Sequence, residues 1–537
     1  MKTVMNAQRA FFGLLLLFVV GSQGGDLEVL RERVGRHSLE VPSSTKAARV
    51  TDVNAVRSKL PEVPSPAEQV EGCKLAIVGA GYGGLYFAYR IVFDEEMVAA
   101  SDVCIFEAST RRIGGRVYSL RNLLGDPELV VDVGGYRYVP SQKLIAKLIE
   151  ERLGLNTRCY YPLTCEDARR IIVDESGLNQ LGYVAPVETM LEDLVKAGSR
   201  VFYGYKLTGV FDLSGEDAAN VESTKTGGTP VELKFENGGS AVVDQVMLNI
   251  PSEAIATLDG RSILFQKQSK AAQGGYMISD TLSLTKIYVE YEDAWWITKL
   301  GLIEGTFEEP FDPKLEGRYH DGPARCFDKN NNQIPLDSEK EMIHKCNGAL
   351  MAAYFGFDDQ SQEKFYTAFK QGDDPLSIFE WDESADGFDL IQAVHNQLMN
   401  FHSQNFTNAG FSAADIDPPL YLYMGNWGRE DPIAASAHEW TLHLPGTTIA
   451  KTTKALLRPA EGYDVFIANE AYGVSPGWAE GSIMMAERVL AYELGVGKPA
   501  WLNDDQYYRD VVKDLDFFDL LTVQLYDIPL PKSNMYS

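Results

Sequence analysis

The sequence predicts a mixed α/β chain in which a parallel nucleotide-type sheet, assembled from distant stretches, carries an inserted second domain built on a mixed β-sheet. Three observations predict it. An apolar strand, Lys74-Leu75-Ala76-Ile77-Val78, runs straight into the turn Gly79-Ala80-Gly81-Tyr82-Gly83-Gly84 and then into a helical pattern. A second apolar strand, Asp102 to Phe106, ends on Glu107, about twenty residues beyond the turn. Two more short apolar runs, Gln245 to Pro251 and Val465 to Asn469, read as strands of the same sheet although they lie far downstream.

Each element has a physical reason. Gly79 permits the tight turn, Gly81 lets the backbone approach a pyrophosphate, and Gly84 allows the new helix to pack closely on the strand. That helix points its positive end at the phosphates. Glu107 supplies the acceptor that a ribose hydroxyl needs. Strand, turn, helix and terminal acid together make a Rossmann-like dinucleotide site.

The residues that follow are not those of a typical nicotinamide dehydrogenase. Arg111-Arg112-Ile113-Gly114-Gly115-Arg116 comes just after Glu107, and Val131-Asp132-Val133-Gly134-Gly135-Tyr136-Arg137 follows one short excursion later. This run resembles the FAD-dependent amine oxidase family, in which the terminal acid is followed by G-G-R and then by a D-x-G-G segment beneath the isoalloxazine. Ser283-Leu284-Thr285-Lys286-Ile287-Tyr288, followed by Trp295-Trp296, is similar to the family's lysine strand, whose lysine holds a water against flavin N5. Val465 to Glu470, then Pro476-Gly477-Trp478-Ala479-Glu480-Gly481-Ser482, looks like the closing strand and helix that return to the cofactor. The resemblance implies FAD contacts at Gly79, Gly81, Tyr82, Gly83, Gly84, Glu107, Ala108, Gly115, Arg116, Gly134, Gly135, Tyr136, Arg137, Val210, Glu470, Gly477, Trp478 and Ala479.

Within that family the motifs are closest to secreted L-amino acid oxidases. Gly134 to Pro140 is similar to the segment whose arginine grips the substrate carboxylate, which assigns that role to Arg137. Ala349 to Tyr354 is similar to the strand whose tyrosine assists, which assigns Tyr354. A guanidinium offers a fixed fork that matches a carboxylate, and a phenol adds one donor, so an α-amino acid is held by a group that a simple amine lacks. Lys286 and Trp478 are the expected catalytic residues, Lys286 through its water and Trp478 as an aromatic wall that also binds substrate. Arg137 as a salt-bridged cofactor residue and Tyr354 and Trp478 as core packing remain open alternatives. So do an amine or polyamine oxidase of the same fold and a catalytically silent flavin-fold defence or binding protein.

The six cysteines are Cys73, Cys104, Cys159, Cys165, Cys326 and Cys346. Monoamine oxidases tether flavin through a cysteine in the C-terminal part of the chain; none stands there in this sequence, so FAD is expected to be non-covalent. Cys159 with Cys165 and Cys326 with Cys346 are the locally plausible disulfides, while Cys104, on a buried strand, is expected as a free thiol. No metal ligand set is expected.

Destination is read at the N-terminus. Lys2 and Arg9 precede an apolar run from Ala10 to Val20, then the small residues Gly21, Ser22, Gly24 and Gly25, which reads as a secretory signal too short to span a bilayer. The expected organisation is a signal at 1–24, a pro-segment or linker at 25–70, and a discontinuous FAD domain of 71–140, 180–258 and 446–498. A substrate domain of 141–179 and 259–445 and a surface-packing tail of 499–537 complete it. Within the substrate domain 305–347, rich in Asp, Asn, Gly and Pro, reads as a long loop. The expected destination is an extracellular or periplasm-like space, where Asn405-Phe406-Thr407 is a glycosylation sequon. A net charge of −27 repels phosphates and argues against nucleic acid as a partner. The expected partners are an L-amino acid and oxygen, with no membrane span after signal removal and homo-oligomerisation left open.

Overall fold

In a computed structural model the five strands that carry the glycine turn lie in the order Val465–Ile467, Gln245–Leu248, Leu75–Val78, Val103–Glu107 and Arg200–Tyr203. All four pairings are parallel. The structure describes residues 69–161, 169–213, 229–309, 313–356, 360–428, 435–440, 449–473 and 475–503, together with 507 and 511. Leu75 to Val78 and Val103 to Phe106 are buried at every position, which is why these strands read as unbroken apolar runs: both faces are covered, Phe106 stacking on Phe235 of a second, smaller sheet. The helix Tyr82–Tyr89 leaves the turn and packs against the long closing helix Ala479–Tyr492. Between them Tyr86 and Arg90 share the buried carboxylate of Glu487, the phenol at 2.5 Å and the guanidinium at 2.8 Å. A charge buried this deeply needs such partners.

A smaller sheet, ordered Gln69–Val70, Ser240–Val243, Val231–Phe235 and Leu207–Asp212, adjoins the first core. The second core lies on an eight-stranded sheet whose main path runs Thr306–Glu309, Leu315–Arg318, Lys345–Gly356, Leu284–Tyr291, Tyr421–Trp427 and Leu376–Glu380. Every pairing in it is antiparallel, so the inserted sheet is not mixed as expected. Trp295 and Trp296, immediately after the lysine strand, are fully buried in this core, with Tyr291 edge-on to both. The segment 305–347 is no loop either: it contributes Thr306–Glu309, Leu315–Arg318, Ala324–Phe327 and Gln333–Ile334. Among the described residues most of its Asp, Asn and Pro residues lie between these strands, and the strands are too short to overcome that composition in a sequence reading.

Cys326 and Cys346 sit opposite each other on adjacent antiparallel strands and are disulfide-bonded. Cys104 is not a free thiol. It is bonded to Cys73, because the parallel pairing of Leu75 with Val103 brings the approach to one strand beside the start of the next. Cys159 is also disulfide-bonded; Cys165 lies outside the described residues. The signal run at 1–24, the segment 25–68 and most of the tail also lie outside them, while Tyr507 and Val511 of the tail are buried. Asn405 and Thr407 are exposed on the helix Ser403–Ala409, and Phe406 between them is buried. Among the described residues no helix is long and apolar enough to cross a membrane.

Candidate functional site

The carboxyl ends of the parallel strands open onto a cavity of about 390 Å³, where an open α/β sheet places its ligand. Gly79 stands at φ +96°, and a Cβ there would meet the Asn249 carbonyl oxygen at 2.4 Å, so only glycine fits. A Cβ on Gly81 would lie 2.9 Å from Asn249 Oδ1 and intrude on the same wall. Gly81 caps the helix Tyr82–Tyr89 without a side chain, leaving its first amides to the cavity. Glu107, at the cavity edge, accepts from Ala80 N at 3.0 Å and from Ser109 N at 2.8 Å. Each of its oxygens keeps a lone pair for a ribose hydroxyl. These residues fit a dinucleotide.

Gly83 and Gly84, also expected to touch the cofactor, do not line the cavity. A Cβ on Gly83 would strike Ser482 Oγ at 2.5 Å, and one on Gly84 would strike the Gly79 carbonyl at 2.5 Å, so both serve close helix packing. Val210 is fully buried in the core, its backbone bonded to the Ser262 hydroxyl; Leu207, earlier on that strand, lines the cavity instead.

The far end of the cavity is built where the Asp132-Val133-Gly134 backbone lies on the antiparallel sheet. Trp427 Nε1 donates to Val133 O at 2.7 Å and Tyr288 OH to Asp132 O at 3.1 Å. Lys286 Nζ donates to Asp132 O at 3.1 Å and Gly134 O at 2.5 Å. Gly425 lets the segment approach, since a Cβ there would sit 2.4 Å from Val133 O. Lys286, expected at flavin N5 through a water, has Asp132 O and Gly134 O as acceptors for its Nζ. It is fully buried, does not line the cavity, and holds the Gly134 backbone from below, with Nζ 3.5 Å from the centroid of the Tyr136 ring. Burial pushes its ammonium pKa well below the usual value, against the pull of Asp132. Burial likewise raises the Asp132 carboxyl to about 6, although the Ser119 hydroxyl and Tyr183 N donate to it.

This bolted segment delivers Tyr136 and Arg137 to the cavity, beside Tyr354. Tyr354 is the cross-strand partner of Lys286, which fixes its height on the sheet. The Arg137 guanidinium lies between the Tyr136 and Tyr160 rings, 4.5 Å from each centroid, and its Nη1 is buried without a hydrogen-bond partner. An orphaned guanidinium nitrogen is expensive unless a ligand satisfies it. Gly115, Arg116, Gly134, Gly135, Ala108, Glu470, Gly477, Trp478 and Ala479 also line the cavity, as does Tyr82.

Three groups escaped the sequence reading. Asp321 is buried beside Tyr136 and Arg137 with neither carboxylate oxygen hydrogen-bonded. Arg318, on the neighbouring strand, covers the Tyr354 ring at 4.7 Å. His438 lies on the cavity wall between Glu253 and Glu470. Each stands alone in the sequence, and its partners are remote.

Residues 77–151 match a family model described as an NAD(P)-binding Rossmann-like domain. Over 87 residues, 16% of this chain, the sequence is 34% identical to Aplysianin-A of Aplysia kurodai. Over 101 residues, 19% of this chain, it is 34% identical to FAD-binding monooxygenase trt3 of Aspergillus terreus. These matches span only 14% and 13% of the two relatives' own lengths. Among solved structures, wild-type putrescine oxidase bound to putrescine aligns over 80% of this chain and 100% of its own, at 13% identity and a TM-score of 0.48. A cofactor-binding variant of that oxidase aligns over 79% and 98%, also at 13% identity, with a TM-score of 0.47.

Proposed function

We propose that this chain is a secreted FAD-dependent L-amino acid oxidase of the amine oxidase family, which oxidises an L-amino acid to its 2-oxo acid with release of ammonium and hydrogen peroxide. The observation that carries the reading is Arg137: a guanidinium on the wall of a dinucleotide cavity, clamped between two rings, with a buried nitrogen that no protein group satisfies. A substrate carboxylate is the ligand such a group fits. The matched Rossmann-like segment, and the chain's likeness over 101 residues to an FAD-binding monooxygenase, support the cofactor.

Bound FAD supplies the chemistry, accepting a hydride equivalent from the substrate Cα and passing its electrons to oxygen. The residues supply position. Arg137 holds the carboxylate and Tyr354 adds a phenolic donor on the same wall. Tyr136 and Tyr160 keep the guanidinium from swinging and exclude water around it. Trp478 and Gly477 also line the cavity, just before the helix Ala479–Tyr492, whose amide end favours negative charge gathering there. Lys286 acts on the backbone: by drawing in Asp132 O and Gly134 O it sets the height of Gly134 and Gly135, against which the cofactor would rest. Fixing carboxylate and cofactor together lets one Cα hydrogen face the flavin, and positioning of this kind lowers the barrier by removing orientational freedom before reaction.

Secretion is supported by the signal-like run at 1–24 and by the Cys73–Cys104 and Cys326–Cys346 disulfides, which persist in oxidising compartments. A peroxide-coupled assay of twenty L-amino acids, their D-enantiomers and the matching primary amines tests the reading. Peroxide from L-amino acids alone is expected; turnover of amines but not amino acids would replace it with an amine oxidase, and no peroxide at all with a silent flavin-fold protein.

A further inference from the structure

We propose that His438, held as an imidazolium between Glu253 and Glu470, is a positioning residue of the cofactor site that keeps its wall electrically neutral and its Arg116 and Glu470 in place. The proposal rests on the flavin reading above and adds a residue pair, His438 and Glu253, that no motif assigned.

The geometry is a four-way junction. His438 comes from a short strand, His438–Trp440, that pairs with Ser279–Thr281. Its Nε2 lies 3.0 Å from Glu253 Oε2 and 3.0 Å from Ser252 Oγ, both on the helix Ser252–Ala256. Its Nδ1 meets Glu470 Oε1, beyond the closing strand, and lies 2.9 Å from Arg116 Nη1 of the G-G-R turn. The side chain is fully shielded from solvent. One imidazole thus ties together three remote segments and the arginine turn, at the lip of the cavity.

The proton count follows from the donors. A neutral imidazole has a single N–H, so one of its nitrogens would point a lone pair at a carboxylate. The doubly protonated ring donates to both glutamates. Arg116 Nη1 then has Glu470 and the Ser436 carbonyl, at 3.2 Å, as acceptors and need not use the ring. The remaining groups facing the cluster are donors or uncharged: Thr281 Oγ1 donates to Glu253, Gly477 N donates to Glu470, and the Tyr472 ring lies near both carboxylates. Two carboxylates, one guanidinium and one imidazolium sum to zero. Loss of the imidazolium proton leaves the wall at one negative charge, facing the site of a dianionic pyrophosphate.

The electrostatics agree with the geometry. Burial disfavours the charged ring, but Glu470 and Glu253 outweigh it and raise the His438 pKa above its ordinary value, with Arg116 opposing. Burial also works against the Glu470 carboxylate, yet Arg116 and His438 hold its pKa down at about 2. As pH rises through the raised His438 pKa, the wall turns negative and FAD affinity falls.

The test is the FAD dissociation constant of the full-length protein, measured by flavin fluorescence from pH 6 to 10 in wild type and in charge-altering variants. Wild type should lose roughly tenfold in affinity in one alkaline step, the order of effect of one uncompensated charge near the pyrophosphate. H438Q, left at one negative charge, should bind FAD weakly at every pH with no such step. The double variant H438Q/E253Q restores neutrality and should recover much of the affinity, which a merely structural histidine would not allow. E253Q alone, which keeps the histidine, should move the step to lower pH and serves if H438Q does not fold. A wild-type profile that is flat, or a double variant that binds no better than H438Q, overturns the proposal. A wild-type protein that binds no FAD at any pH overturns the flavin reading itself, and this proposal with it.

Discussion

Asp321 lies within electrostatic reach of the Arg137 guanidinium, yet neither Asp321 oxygen has a hydrogen-bond partner and Arg137 Nη1 has none either. The basic groups beside Asp321 are loose: Arg318 Nε stands at 4.0 Å, and His320 Nε2, at 3.7 Å, carries no charge because burial lowers its pKa to about 3. Two buried opposite charges left unsatisfied beside a cavity leave Arg137 free to bind another carboxylate.

The pair predicts a pH dependence of anion binding. Burial pushes the Asp321 carboxyl up to about 7, although the Arg137 charge pulls the other way. Below that pH Asp321 is neutral and leaves the Arg137 field to an incoming carboxylate; above it the ionised side chain competes. The inhibition constant of a simple carboxylate inhibitor, which does not itself titrate in this range, should therefore rise several-fold as pH increases through about 7. Asp321→Asn should flatten the profile. An inhibition constant independent of pH in the wild type would remove Asp321 from the site.

The cofactor should leave without breaking a covalent bond. Cys73, Cys104, Cys159, Cys326 and Cys346 are all engaged in disulfides, so none of these offers a thiol to a flavin. Acid precipitation of the yellow protein should leave FAD in the supernatant, and Gly79→Ala should purify colourless. At that position a Cβ meets the Asn249 carbonyl at 2.4 Å with φ at +96°, a combination that strains the turn by about 1–3 kcal/mol or displaces the strand end. Flavin that stays in the pellet would contradict non-covalent binding.

What the sequence carried was local. Gly79, Gly81 and Glu107 declare themselves because strand, turn and acid fall within one short stretch, and the cavity forms at that stretch. Lys286 was legible as a residue near the site, while its hold on Asp132 O and Gly134 O is visible only in the folded sheet. Glu253, His438 and Glu470 were illegible as a cluster: the histidine is 185 residues from one partner and 32 from the other, and no spacing rule links them. The antiparallel order of the inserted sheet was equally hidden, because strands such as Leu315–Arg318 are short and set among turn residues. Cys73 with Cys104 is a different failure. Adjacent parallel strands were expected there, and that register already brings the two thiols together.

The Cys73–Cys104 disulfide should contribute to stability directly. It closes a loop of 31 residues between the first two strands of the parallel sheet, and constraint of the unfolded chain by a loop of that length is worth about 3–4 kcal/mol. Arg200 Nη2, at 3.1 Å from Cys104 Sγ and 3.4 Å from Cys73 Sγ, packs against the bridge from the sheet edge. Replacing both cysteines by serine should lower Tm by several degrees while leaving FAD content and substrate preference intact, because neither cysteine lines the cavity. An unchanged Tm, or two titratable thiols in the unreduced wild-type protein, would restore Cys104 as a free buried thiol.

Arg137 decides between an amino acid oxidase and an amine oxidase. If it binds the substrate carboxylate, Arg137→Ala removes charge-assisted hydrogen bonds worth about 1.5–3 kcal/mol, and kcat/KM for an L-amino acid should fall roughly ten- to several-hundred-fold. Arg137→Lys should recover only part of this, because an ammonium cannot reproduce the fork and is too compact to stack between the Tyr136 and Tyr160 rings as the guanidinium does. The loss must also be selective. Gly134, Gly135 and Lys286 hold the cofactor side of the segment without using the guanidinium, so flavin content should stay near the wild-type level. Any residual turnover of the matching primary amine, which has no carboxylate to lose, should hardly change. If Arg137→Ala instead loses its flavin, or loses amine and amino acid turnover in equal measure, Arg137 is a cofactor or framework residue, and the preference for an amino acid over an amine loses the one contact that supports it.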